Sequence, residues 1–390
     1  MNHSDLKRNS YMLRGVNARH GYMRWWHSFR GTCHETGITR TFFIEYFLIN
    51  PGLGNSAPIL GQHPSNKKRG IRPSYAMLKV GVMEDENTEG CQLHAFYPIS
   101  SLKVVEDPLY IKIEDCIYTE NRIQGSVIVS ENTASHPYLM TDAGSMEWDL
   151  EVHKSIACHT GILACPLFNW LNALDSFWHG EGIRTAYKGN VTFNGEIYDV
   201  TPEESYGYAD KHWGRKFNNP LLTLAGCKLT SKKTGKELKY SAVAIDGCRP
   251  RFLWFPLRPA LSLQITYTGE DFTFLFAKPW RFSKSRWSVK ETKNRYIWHI
   301  KAQSRTAFAK VSLSARKDEE LPLRYELPNG DRPAEPILAS GTGIGTIELY
   351  RLGRHGKEYI DTIMVENALC ISQKIPVQNK RGFLASKLQK

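Results

Sequence analysis

The stretch from 189 to 220, GNVTFNGEIYDVTPEESYGYADKHWGRKFNNP, holds side chains whose types and spacing suit proton transfer. Tyr206, Tyr208, Asp210, His212, Trp213, Gly214 and Arg215 follow one another closely there. On an extended strand alternate side chains share a face. Tyr208, Asp210 and His212 then point one way, and Ala209, Lys211 and Trp213 the other. A phenol, a carboxyl and an imidazole on one face are the parts of an acid–base catalyst. A carboxylic acid buried against apolar walls keeps its proton, because desolvation disfavours its charged form. Such an acid can donate its proton inside a dry pocket. Asp210 fits the acid, with Tyr208 and His212 as orienting groups and Trp213 and Tyr206 as aromatic walls. A plainer reading stands beside this one. Asp210 could pair with Lys211 or Arg215 at a surface, His212 could be a satisfied core histidine, and Trp213-Gly214 could be a packing plug.

A second cluster lies near the start. Trp25, Trp26 and His27 fit the lining of a cavity, with core packing as the alternative role for Trp26. Glu45 interrupts the apolar run FFIEYFLI, an unusual place for a carboxylate. By alternation it shares a face with Phe43 and Phe47. It is either a buried acid facing a ligand or the partner of an arginine such as Arg24 or Arg40. Other candidates carry less. Glu147, Asp149 and Glu151 alternate with Met146, Trp148 and Leu150, which makes them the wet side of a half-buried strand. Cys158 and His159 are adjacent, poor geometry for a dyad on a strand. Gly341, Gly343 and Gly345 imitate a phosphate loop, but a strand pattern rather than a helix follows, so a nucleotide site is rejected.

The elements that must hold these groups read as strands. TRTFFIEYFLIN at 39 to 50 is a β-branched and aromatic run ended by Pro51-Gly52. LHAFYPI, LYIKIEDCIY, GSVIVS, MEWDLEVHK, KELKYSAVAID, LSLQITYTGEDFTFLF and TAFAKVSLSA follow the same habit, each with polar or Gly/Pro punctuation. Asn194-Gly195 predicts a tight hairpin. One segment, CPLFNWLNALDSFWHG at 165 to 180, has helical spacing at Leu167, Trp170, Leu171, Leu174 and Trp178, with Pro166 and Gly180 as stop signals. Residues 51 to 75 are rich in Gly, Pro, Asn and Ser and predict a long loop able to cover a site. The pattern predicts an all-β fold of two β-barrel or sandwich domains joined by one or two short helices, with the domains at 1–185 and 186–390. The second domain carries the YADKHWGR motif.

Composition narrows the partners. The chain has 390 residues, 41% hydrophobic and 12% aromatic, enough for sizeable cores and apolar cavities. Its net charge of +12 comes from 51 basic and 39 acidic residues spread along the chain, densest at Lys67-Lys68-Arg69 and from Lys380 to Lys390. That scatter excludes a nucleic-acid partner and leaves a peripheral contact with an anionic membrane surface as an expectation. Eight cysteines with no CxxC pair predict reduced thiols and no metal. No apolar leader and no run of about 18 apolar residues is visible, which predicts a cytoplasmic location without a membrane span.

In their order, three segments resemble the tocopherol cyclase-like family, which is related to the carotenoid 1,2-hydratases and the lipocalin-like Diels–Alderases. These are GYMRWWH with FFIEYFLINPG, then the hairpin and DKHWGR, then LPLRYELPNG with GTGIGTIELYRL and MVENALCIS. The chain departs from the plant cyclases where Asn218 rather than Pro follows Phe217, and where LLTLAGCKL lacks a tryptophan. The resemblance implies two lipocalin-like (calycin) units. It also implies a cofactor-independent cyclase, hydratase or isomerase acting by acid catalysis on a hydrophobic isoprenoid or polyene. Under it, Asp210, His212 and Tyr208 are catalytic, and Trp213, Trp25, Trp26, Glu45 and Tyr206 line the substrate pocket. The alternative is a non-catalytic carrier of lipids or isoprenoids with the same cavity.

Overall fold

In the computed structural model, residues 11–373 are described except 55, 87, 159–174, 218–220, 249–250, 253–254, 257–259 and 276–282. The predicted β character dominates: 62% of the described residues are strand and 7% helix. Short strands with β-branched and aromatic side chains every second position bury one face, and a closed sheet leaves few unpaired edges.

The first sheet has twelve strands. They are β1 (Tyr22–Cys33), β2 (Thr39–Ile49), β3 (Tyr75–Val82), β4 (Cys91–Tyr97), β5 (Leu102–Glu106), β6 (Leu109–Ile113), β7 (Cys116–Thr119), β8 (Arg122–Val129), β9 (Gly144–Ile156), β10 (Ser176–Phe193), β11 (Glu196–Val200) and β12 (Gly207–Gly214). Their order is β4-β3-β2-β1-β11-β10-β9-β8-β7-β6-β5, with β12 paired to both β1 and β10. This sheet curls into a closed barrel. At the β4 edge, Thr141 Oγ1 accepts from the His94 amide and the Asp142 amide donates to the Gln92 carbonyl.

The second sheet forms a half-barrel. Its strands are β13 (Leu222–Gly226), β14 (Lys228–Ser231), β15 (Ala242–Cys248), β18 (Ala260–Tyr267), β19 (Glu270–Phe274), β20 (Lys284–Glu291), β21 (Arg295–Gln303), β22 (Ala307–Arg316), β23 (Leu321–Leu323), β24 (Ile337–Gly353) and β25 (Gly356–Gln373). Between β15 and β18 runs a two-stranded ribbon, β16 (Arg251–Phe252) and β17 (Phe255–Pro256). Alternation along β13 and β15 divides the core. Leu222, Leu224, Val243 and Ile245 fill the half-barrel, while Ala225, Ala242 and Ala244 join the core of the first sheet.

Two sequence expectations change. The boundary expected at residue 185 falls inside β10, a continuous strand of 18 residues. The chain changes sheets after Gly214, because β11 and β12 pair with β10 and β1. The YADKHWGR motif therefore belongs to the barrel. The helical spacing at 165–180 lies mostly outside the described residues, but Ser176–Gly180 is strand. Period alone could not separate a helix from a buried strand in so short an apolar run. Residues 51–75 hold a short helix, Pro64–Lys68, and reach the segment after β23, where Gln62 donates to Gly330 O.

Candidate active site

Strand β12 is buried over its whole length, GYADKHWG, between β1 and β10. A strand buried on both faces is ordinarily apolar. This one carries an aspartate, a lysine and a histidine, so each must find partners or bear a cost of several kcal/mol.

Tyr208, Asp210 and His212 share the face turned toward the half-barrel. Asp210 Oδ2 accepts from Tyr208 Oη at 2.8 Å and from Trp178 Nε1 at 3.2 Å, and His212 Nε2 lies 3.1 Å away. Across the gap, Asp246 of β15 brings its Oδ2 to 3.5 Å from the same His212 Nε2. Thr223 of β13 donates to that carboxyl at 3.1 Å. One imidazole nitrogen thus stands between two buried carboxyl groups, one from each sheet. Asp210 Oδ1, Asp246 Oδ1 and His212 Nδ1 are buried with no hydrogen-bond partner among the described residues.

The two acids differ. Burial opposes ionisation of Asp210, yet the His212 contact, the Arg24 charge and the Tyr208 hydroxyl outweigh it and hold the carboxyl below its usual range. Burial pushes Asp246 well above its usual range, and the nearby Asp210 charge pushes it further. Burial lowers His212, against the pull of Asp210. These directions favour Asp246, rather than the expected Asp210, as the neutral acid. The environments favour the proton on Asp246 and the charge on Asp210. Two close carboxyls cannot both ionise cheaply, and the one with the donors takes the charge.

A row of side chains runs outward from Asp210 across neighbouring strands: Trp26, Glu45, Lys79 and His94 lie at successive paired positions. Glu45 takes Lys79 at 3.4 Å and Arg24 at 3.5 Å, and Tyr325 Oη bonds both its oxygens at 3.0 and 2.9 Å. The arginine partner expected for Glu45 is Arg24; Arg40 instead lies 3.7 Å from Glu196. Burial lowers Lys79 to about 7 despite Glu45. Trp26 stacks on Phe43 at 5.0 Å with the Arg24 guanidinium over its ring. Beside this row Tyr22, Phe47, Phe217 and Tyr325 meet ring to ring at 4.4 to 6.3 Å. They form an aromatic wall on the same face.

The other predicted residues go elsewhere. Trp213 and Trp25 point into the barrel, where both flank Lys211 and Trp213 stacks on Phe177. Asp210 does not pair with Lys211, since consecutive strand residues face opposite ways, and Arg215 bonds Asn17 instead. Tyr206 precedes β12 with φ of 38° and sits under Lys228. With Tyr208 it lines a narrow crevice of about 20 Å³ between the sheets, room for a single water. Asp246 and Trp178 were absent from the sequence reading. An acid inside the apolar run SAVAID was the available signal for the first, the same signal that exposed Glu45. Among the described residues no cluster of His, Cys, Asp and Glu is arranged to hold a metal ion, and no helix is long and apolar enough to cross a membrane.

No family model and no curated protein matches the chain. Several solved structures resemble it, among them two at 11% identity. One is a provisional AttH from Nitrosomonas europaea, with 11% identity over 89% of this chain and 91% of that one and a TM-score of 0.41. The other is kievitone hydratase from Nectria haematococca, with 11% identity over 90% and 89% and a TM-score of 0.43.

Proposed function

We propose that the chain is a cofactor-independent acid–base enzyme of the hydratase or isomerase type, acting on an unsaturated hydrophobic substrate at the Asp210–His212–Asp246 cluster. One observation carries this reading: His212 Nε2 lies 3.1 Å from a carboxyl that favours its anion and 3.5 Å from one that favours its neutral acid. Groups whose environments push their affinities for protons apart are suited to opposite roles.

In a hydration, the Asp246 hydroxyl gives its proton to one alkene carbon, leaving the Asp246 carboxylate and a carbocation. The aromatic wall faces that cation. A water oxygen bonds to the cation and loses a proton to the Asp210–His212 pair. His212 passes a proton across Nε2 to Asp246, and the net change is alkene plus water to alcohol. In an isomerisation the cation instead loses a neighbouring proton to the same pair. Tyr208 and Trp178 hold Asp210 in place for either course.

The test starts with organic extraction and mass spectrometry of the purified protein, then assays a panel of polyprenyl and polyene compounds for products. Asp246→Asn and Asp210→Asn should each lower turnover by about a hundredfold or more while ligand affinity stays within a few fold. Turnover at the wild-type rate in either variant overturns the reading. Tight binding of the panel with no product from the wild type favours the carrier.

A further inference from the structure

The opposite face of β12 turns into the barrel, among polar side chains that the acid–base chemistry does not use. His27 Nδ1 lies 2.9 Å from Tyr187 Oη, and that hydroxyl donates to the Tyr208 carbonyl at 3.3 Å. The tyrosine oxygen is then the acceptor, which assigns the imidazole proton to Nδ1 and leaves Nε2 with a bare lone pair. Burial, and next the Lys154 charge, keep this histidine neutral by lowering it well below its usual range. Gly207 permits the arrangement, because a Cβ there would stand 2.3 Å from the Tyr187 ring.

Glu181 supplies a second acceptor. Its Oε2 takes the Tyr118 hydroxyl and, at 2.8 Å, Lys154 Nζ, while Oε1 has no partner among the described residues. Trp25 Nε1 supplies a donor, equally without a partner among them. All three side chains are buried, the most exposed at 1%. They meet at one ring: His27 and Trp25 stand edge-on to Tyr118 with centroids at 4.7 and 6.5 Å, and the Tyr118 hydroxyl bonds Glu181. A buried polar atom left unbonded costs about 1–3 kcal/mol, so three around one ring call for a complement.

We propose that the barrel interior around Tyr118 is a second ligand site, separate from the acid cluster, that takes the hydroxyl end of an apolar alcohol or phenol. The hydroxyl proton goes to His27 Nε2 or Glu181 Oε1, and its oxygen accepts from Trp25 Nε1. An ether satisfies only the tryptophan, and a carboxylate brings a second negative charge beside Glu181. The rest of the ligand lies against the aromatic lining.

The experiment compares 2-naphthol, 2-methoxynaphthalene and 2-naphthoate on the wild-type full chain, by calorimetry and by quenching of tryptophan fluorescence. The naphthol should bind about tenfold or more tighter than the other two, the effect of one satisfied buried hydrogen bond. Trp25→Phe, which keeps a ring and removes the N–H, should narrow that preference to a few fold, whereas Trp287→Phe, packed against the half-barrel core, should leave it unchanged. Equal binding of the three probes, or none, means that an ordered water alone satisfies these atoms and overturns the proposal. A preference that survives Trp25→Phe overturns it as well.

Discussion

The two faces of β12 are built from alternate residues of a single strand, yet they collect different sets of charged groups. Toward the half-barrel stand three acids, Glu45, Asp210 and Asp246, with Arg24, Lys79 and His212. Inside the barrel Glu181 pairs with Lys154, and Glu181 and Glu106 both act on Lys211. Burial acts on both sets alike, because desolvation penalises whichever form is charged. What differs is the company. The outer face has more carboxyls than its cations can hold ionised, so one acid, Asp246, keeps its proton. On the inner face desolvation lowers Lys211 to about 7 in spite of Glu181 and Glu106, as it lowers Lys79 on the outer face. The face that holds a protonated acid supports proton donation, and the face without one supports polar binding. Tertiary partners set this outcome, since the strand supplies both faces at once.

Removing the hub of the outer face should have the largest effect. Glu45 is the carboxylate shared by Arg24 and Lys79, and Tyr325 clamps both its oxygens. Glu45→Ala strands two buried cations, a change that costs about 3–5 kcal/mol and lowers the melting temperature by roughly 10 °C in a chain of this size. Lys79 offers a check on the cause. With its pKa lowered to about 7, it can shed its charge as the pH rises. The loss should therefore shrink between about pH 6 and pH 9, as thermal unfolding at the two values will read. A loss that does not depend on pH would assign the effect to packing alone.

The inner face predicts the opposite sign. Lys211 lies between the Trp25 and Trp213 rings at 5.3 and 5.1 Å, and burial lowers it to about 7 in spite of Glu181. Its native affinity for protons is below that of the unfolded chain, so the protein gives up stability to it below about pH 7 and recovers that stability as the pH rises toward 10.5. Lys211→Met keeps the length and removes the charge. It should stabilise the fold by about 2 kcal/mol near pH 6, less the lost cation–π contacts, and by progressively less in alkali. Destabilisation at every pH would mean that the two tryptophans depend on the ammonium, and would erase the contrast between the faces.

The alternation that creates both faces was legible in YADKHWG, because a period of two needs no tertiary information. The strands around Glu45 and Trp148 were readable for the same reason. The sheet to which a strand belongs was not. β12 pairs with β1 and β10 through contacts far apart in sequence, and nothing local in 189–220 distinguishes a last barrel strand from a first strand of the next unit. Trp25 and Trp26 illustrate the limit at the site. Both were expected in one pocket, but adjacent residues on a strand part company, and only the barrel's closure defines which of them faces Lys211 and which faces Arg24. Asp246 escaped for a related reason. Its role exists only because the half-barrel sets it 3.5 Å from a histidine of the other sheet.

That juxtaposition carries the smallest and most specific prediction on stability. A carboxyl held neutral by burial binds a proton in the folded protein that the unfolded chain releases at ordinary acidity. Its contribution to stability is complete below the unfolded value of about 4 and is lost as the pH climbs through the raised native value. Asn has the same shape and never ionises, and its amide oxygen can still accept from Thr223. Asp246→Asn should leave the melting temperature unchanged near pH 4 and raise it by a few degrees near pH 8. The same substitution removes the proposed acid, so the variant that gains stability is the one that loses turnover. Asp210→Asn sharpens the comparison: its carboxylate is held low by its partners, so neutralising it should lower stability at neutral pH and matter least in acid. If the two variants shift the melting temperature in the same direction at pH 8, the two carboxyls do not differ in protonation, and the division of roles between them fails.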